Sequence, residues 1–115
     1  MKKIALFVFN GDPMCFIHVL MNALNMHQKG NDARIVIEGS ATALPPELAK
    51  ADHPLHGLWE KAVEAGLVAG VCEACSRKTG TLEAAKAQGL ALLNEMNGHP
   101  SIARFQDDGY EIITF

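Results

Sequence analysis

The amino-acid sequence predicts a three-layer α/β/α domain on a mostly parallel sheet of about five strands, flavodoxin- or Rossmann-like in type. Two observations carry this. Short runs rich in Val, Ile and Phe alternate with segments of helical period, and Gly, Asn or Pro mark short turns between them. Strands separated by helices are joined by right-handed crossovers and therefore lie parallel. The length of 115 residues fits one domain, residues 1–115.

Lys3 to Phe9 is a continuous apolar run bounded by Asn10-Gly11, as suits a central strand covered on both faces. Asp12 then offers an N-cap carboxylate and Pro13 a first helical residue, and Gly30-Asn31 ends that helix. Its apolar face is read as Ile17, Leu20, Met21 and Leu24, with His18, Asn22, Asn25 and Lys29 on another face. Ala33 to Glu38 is a second strand, closed by Gly39-Ser40. Pro45-Pro46 opens a short helix to about Lys50. Leu55, Leu58, Trp59, Ala62 and Val63 stripe the clearest helix, Glu60, Lys61 and Glu64 face outward, and Gly66 stops it. Leu67 to Val71 is the third strand. A thiol-bearing loop leads to a helix from Thr81 to Gln88, a short fourth strand within Leu90 to Leu93, a last helix from Ser101 to Asp108 and a closing strand from Tyr110 to Phe115. Met14, Met21, Met26 and Met96 read as apolar filling, with those on the first helix also candidates for a subunit contact.

Composition excludes several classes of function. Ten Lys and Arg against 13 Asp and Glu give a net charge of −3, and the cations are scattered except at Lys2-Lys3 and Arg77-Lys78. No basic stripe tracks a phosphate backbone, so nucleic acid is not expected as a partner. No apolar run approaches the ~20 residues of a membrane helix, so no membrane partner is expected. The start, Met-Lys-Lys followed by an apolar run, imitates a signal peptide, but Asn10-Gly11-Asp12-Pro13 stands where small residues would be needed. The expected location is the cytoplasm. There, three cysteines in a short chain argue for reduced, reactive or metal-binding thiols rather than a disulfide framework.

Two of those cysteines, Cys72 and Cys75, form a C-x-x-C pair after the third strand, followed by Arg77, Lys78 and Gly80. The carboxyl edge of an open α/β sheet is where such folds place their chemistry. A thiol reacts as its thiolate, which neighbouring cations favour, so Cys75 is the candidate nucleophile with Arg77 and Lys78 as its stabilisers. Cys72 is a candidate resolving or sheltering thiol. Asn10 and Gly11, in the turn after the first strand, and Glu38, at the end of the second, are candidate ligand-binding groups on the same edge. One glycine is no dinucleotide fingerprint.

These features together resemble the DsrE/DsrF-like family of small α/β proteins, in its YchN-like branch. The resemblance rests on Lys3-Ile4 and the strand they open, the Asn10-Gly11 turn, the Cys72–Cys75 pair with Gly80, and the terminal Ile113-Thr114-Phe115. It spans nearly the whole chain. The family carries Arg-Gly at the end of this loop, whereas Thr79-Gly80 stands here. The resemblance implies a flavodoxin- or Rossmann-like sheet, a homo-oligomer (trimer or hexamer), and a loop cysteine that carries sulfur as a persulfide between a donor and an acceptor protein. Sulfur carriage or transfer at Cys75 is the expected function, and it needs no organic cofactor.

Two other readings use the same thiols. Cys15, in the first turn after Asp12-Pro13, joins Cys72, Cys75 and a histidine (His18, His53 or His99) in a Cys₃His zinc or other soft-metal site, making the protein a binding oligomer without turnover. Alternatively the pair is a thioredoxin-like dithiol. The late helix start, near Thr81, argues against that arrangement, which places its pair where a helix begins. His99, in Asn97-Gly98-His99-Pro100, follows the fourth strand and is the histidine placed to reach the thiols.

Overall fold

A computed structural model describes all 115 residues. Five strands form one sheet in the order β4-β3-β2-β1-β5, every neighbouring pair parallel. They are β1 (Lys3–Val8), β2 (Asp32–Ile37), β3 (Val68–Cys72), β4 (Leu92–Leu93) and β5 (Glu111–Thr114), and the helices between them are α1 (Pro13–Gln28), α2 (Leu44–Leu48), α3 (His56–Glu64), α4 (Glu73–Thr79), α5 (Leu82–Ala87) and α6 (Ile102–Asp107). A 3₁₀ turn, Gly39–Ala43, precedes α2. No helix is long and apolar enough to cross a membrane.

β1 is buried from Ile4 to Val8 because it is central, with β2 on one side and β5 on the other. Alternate side chains then serve different faces. Ile4, Leu6 and Val8 join Phe16, Leu20 and Trp59 in the larger core, while Ala5 and Phe7 join Val36 and Phe105 in a smaller one. The three successive steps from β1 to β4 run in one direction, and right-handed crossovers bring α1 and α3 to the first face. The return from β4 to β5 carries α6 to the other, so that layer rests on Phe105 with Ile102 and Tyr110 beside it.

Asp12 caps α1 as its spacing predicts, its carboxylate accepting from the Met14 amide at 2.9 Å, with Pro13 at the first helical position. The expected face of α1 is met in part: Leu20 is buried and Ile17 and Leu24 pack on the core, but Met21 does not. Phe16, Val19, Leu20 and Ala23 are buried, whereas Met14 and Met21 point outward at 79% and 43% exposure. Met21 misleads because methionines stand on both the core and the solvent sides of this helix. Met96 is exposed too, and only Met26 packs on the core. The α3 stripe holds: Trp59 and Ala62 are buried, and the Trp59 indole donates to Gln88 Oε1 at 3.0 Å.

β4 keeps two residues of the expected run and pairs with β3 beside Gly70. A methyl group on Gly70, whose φ is 157°, would meet the Ala91 carbonyl oxygen at 2.5 Å, so this position takes only glycine. The main correction concerns the thiols. Cys72 is the last residue of β3 and Glu73 begins α4, so the C-x-x-C pair opens a helix and does not lie on a loop.

Candidate functional site

The site is assembled from two turns at the carboxyl edge of the sheet. Cys72 is the N-cap of α4, with the extended backbone typical of that position, and its Sγ accepts the Cys75 amide at 3.3 Å. Cys75 therefore stands one turn into the helix, half-buried, while Cys72 is fully buried. α4 ends at Gly80, whose φ of 74° is the left-handed C-cap that glycine adopts without strain.

The second turn brings the imidazole. Met96 and His99 exchange backbone hydrogen bonds across Asn97 and Gly98, both at positive φ (51° and 88°). That is the two-residue reversal which Asn-Gly favours. The Gly98 carbonyl then accepts the Ala74 amide at 2.9 Å, docking the turn on the first turn of α4. A side chain at Gly98 would press on the Ala74 methyl at 3.2 Å. So held, His99 Nδ1 lies 3.1 Å from Cys72 Sγ and 3.8 Å from Cys75 Sγ. Ligand atoms of Cys72, Cys75 and His99 all lie within 4.8 Å of one another.

Burial pushes the Cys72 thiol up to about 12, with the neighbouring Cys75 and the Glu38 carboxylate adding to the rise. In the isolated protein Cys72 therefore keeps its proton, within reach of the Gly98 carbonyl at 3.7 Å and of His99 Nδ1. Cys75 is the thiol that solvent reaches.

Glu38 follows β2 one step beyond the Ile37–Val71 pairing, which sets it level with Cys72. It is 7% exposed, and burial, with a contribution from Glu95, raises its carboxyl to about 7. The sign of the consequence is definite. The folded protein holds this proton to higher pH than the unfolded chain does, so stability is full below about pH 4.5 and falls as pH rises toward about 7. The loss amounts to at most about 3 kcal/mol. Glu38→Gln is expected to remove that decline. Urea unfolding of both proteins at about pH 5 and about pH 8 checks it, and equal pH slopes would refute the assignment.

The other predicted residues fall as follows. Arg77 and Lys78 occupy the exposed last turn of α4 and make no hydrogen bond or ion pair with either thiol. The Asn10 side chain accepts the Asp12 amide at 2.8 Å within its own turn, and the Gly11 amide donates to Ser40 Oγ of the neighbouring 3₁₀ turn at 2.9 Å, so both groups are already engaged. Cys15, half-buried on α1, stands outside the thiol–imidazole cluster, which corrects its inclusion among the metal ligands. His18 and His53 line a separate hollow with Met14, Ile17 and Pro54. Since the helix begins at Glu73, the late-start argument against a thioredoxin-like dithiol also falls. In this pair the first cysteine is the buried one.

The comparisons agree with this architecture. The chain is similar to the uncharacterized protein MJ0733 of Methanocaldococcus jannaschii, 34% identical over 97 residues that cover 84% of this chain and 77% of that protein. An uncharacterized protein of Archaeoglobus fulgidus is 39% identical over 49 residues, 43% of this chain and 80% of its own length. The model of the DsrE/DsrF-like family matches residues 2–115. With the parallel sheet and the thiol pair at its carboxyl edge, a match over nearly every residue places the chain in the DsrE/DsrF-like family.

Proposed function

We propose that the protein carries sulfane sulfur on Cys75, accepting it from a persulfide donor and passing it to an acceptor thiol. The observation that supports this reading is the unequal pair itself: a half-buried Cys75 beside an imidazole, backed by a buried Cys72 that stays protonated.

In the proposed sequence His99 Nδ1 takes the Cys75 proton. The Cys75 thiolate attacks the outer sulfur of a donor R–S–SH, a Cys75 S–S bond forms, the donor S–S bond breaks, and RS⁻ leaves with the proton returned by the imidazolium. An acceptor thiolate reverses the process on Cys75–SSH. No net oxidation occurs. Cys72 contributes a sulfur contact that keeps Nδ1 turned toward the pair. Lys78 stands three residues beyond Cys75, on the same side of α4, where its charge favours the thiolate; Arg77 adds screened charge from farther round.

Reduced protein is exposed to a small-molecule persulfide and its peptides are weighed. Wild type and Cys15→Ser are expected to gain one sulfur atom on the peptide holding Cys75, and Cys75→Ser none. Sulfur retained by Cys75→Ser, or found on the Cys15 peptide alone, would overturn the proposal.

A further inference from the structure

We infer that Cys72, Cys75 and His99 also form a three-ligand site for a divalent, thiolate-seeking metal ion of the zinc class. The donor geometry carries the inference. Zinc binds thiolate sulfur at about 2.3 Å and imidazole nitrogen at about 2.0–2.1 Å, so in a tetrahedral site sulfur and nitrogen donors stand about 3.5 Å apart. The two sulfur-to-Nδ1 distances, 3.1 and 3.8 Å, bracket that edge, and the three donor atoms form one cluster within 4.8 Å.

Two further features suit a metal. The Cys75 amide already points at Cys72 Sγ at 3.3 Å, a donor that stabilises negative charge on a ligating sulfur. When the metal displaces the Cys72 proton, the Gly98 carbonyl loses a weak thiol donor at 3.7 Å but keeps the Ala74 amide at 2.9 Å, so no buried acceptor is stranded. The balance is simple. Two thiols release two protons, two thiolates and a neutral imidazole meet a 2+ ion, and the centre is electrically neutral with no change of oxidation state.

The chain supplies three ligands, not four. Cys15 is outside the cluster, and so is Glu38 although it lies level with Cys72. Cys75 and His99 are only half-buried, and the fourth position is left to water or an incoming ligand, the pattern of an open site. The inference does not depend on sulfur carriage. If both hold, the metal occupies the electron pair of Cys75 that would attack a persulfide, and the two states exclude each other.

The test titrates cobalt(II), as an optical probe for zinc, into the reduced 115-residue chain under argon, followed by displacement with zinc. Wild type and Cys15→Ser are expected to bind one equivalent with thiolate charge-transfer bands and the intense visible bands of tetrahedral cobalt. Cys75→Ser and His99→Ala are each expected to weaken binding at least about tenfold. Thermal unfolding with and without zinc supplies a second readout, because zinc should raise the Tm of wild type and Cys15→Ser but not of His99→Ala. Cobalt spectra without thiolate bands, or binding lost in Cys15→Ser and kept in His99→Ala, would overturn the site. Sulfur uptake is measured separately by mass on chelator-treated protein, so the failure of one reading is visible apart from the other.

Discussion

His99→Ala is expected to slow sulfur acceptance by Cys75 about a hundredfold or more while leaving the sheet intact. A positioned base in proton transfer is worth roughly 10²–10⁴ in rate. His99 is the one imidazole within reach of the pair, at 3.1 and 3.8 Å. The side chain is half-buried in a turn whose backbone hydrogen bonds, between Met96 and His99 and from Ala74 to Gly98, do not involve the imidazole, so the turn should survive its loss. Single-turnover transfer from a small persulfide measures the effect. Added imidazole should restore part of the rate in the variant and none in wild type. A rate within twofold of wild type would remove His99 from the mechanism and leave Lys78 as the thiolate's support.

Phe7→Ala should cost about 3–5 kcal/mol, as for other fully buried aromatic truncations. Phe7 is 0% exposed and meets Phe105 edge-on, with ring centroids 5.4 Å apart and planes at 87°. The smaller core depends on this contact, since α6 is the helix that packs there and Phe105 its buried side chain. The loss should also reach the thiols. Glu95, at the start of the segment that carries the His99 turn, accepts the Ser101 amide at 3.0 Å, while Ser101 caps α6, so a loosened α6 unsettles that segment. Urea denaturation should show a lowered midpoint with an unchanged slope, and a loss under about 1 kcal/mol would mean that α6 repacks.

The parts of the fold that were legible are those written in apolar period. β1 is an unbroken apolar run from Ile4 to Val8 and β2 ends in one from Ile35 to Ile37 because both lie inside the sheet, and α3 bears a stripe on a single face. α4 has no such stripe. Its buried contacts come from Cys72 and Ser76, both small, so no hydrophobic period separates it from a loop. Its ends were nonetheless marked: Glu73 in the first turn, Arg77 and Lys78 in the last, and Gly80 as the C-cap agree with a helix dipole and a left-handed stop.

The candidate site was legible in part for the same reason. Spacing brings Cys72 and Cys75 together within one helical turn, but nothing local ties either to a residue 24 or more positions away. The signal that was available is Asn97-Gly98, the pair most suited to reversing a chain in two residues, and it fixes where His99 must sit relative to β4. Cys15 was misplaced because lying at the same end of the sheet does not ensure contact. The α1 cap and the β3–α4 junction both occupy that edge without sharing a cluster.

The brevity of β4 has a consequence for how the protein opens. Residues 91–100 are held to the rest of the molecule by a two-residue edge strand, the hydrogen bond from the Val71 amide to the Ala91 carbonyl, the docking of Gly98 on α4, and the Glu95 contacts with Ser101 and Arg104. Such a segment is released at a smaller free energy than the sheet, as a partial unfolding unit of its own. In that released state Cys72 is uncovered, while Cys75, half-buried already in the native state, loses its imidazole neighbour. The two sulfurs are thus exposed on separate clocks: one set by collision with the native surface, the other by how often this edge of the molecule lifts.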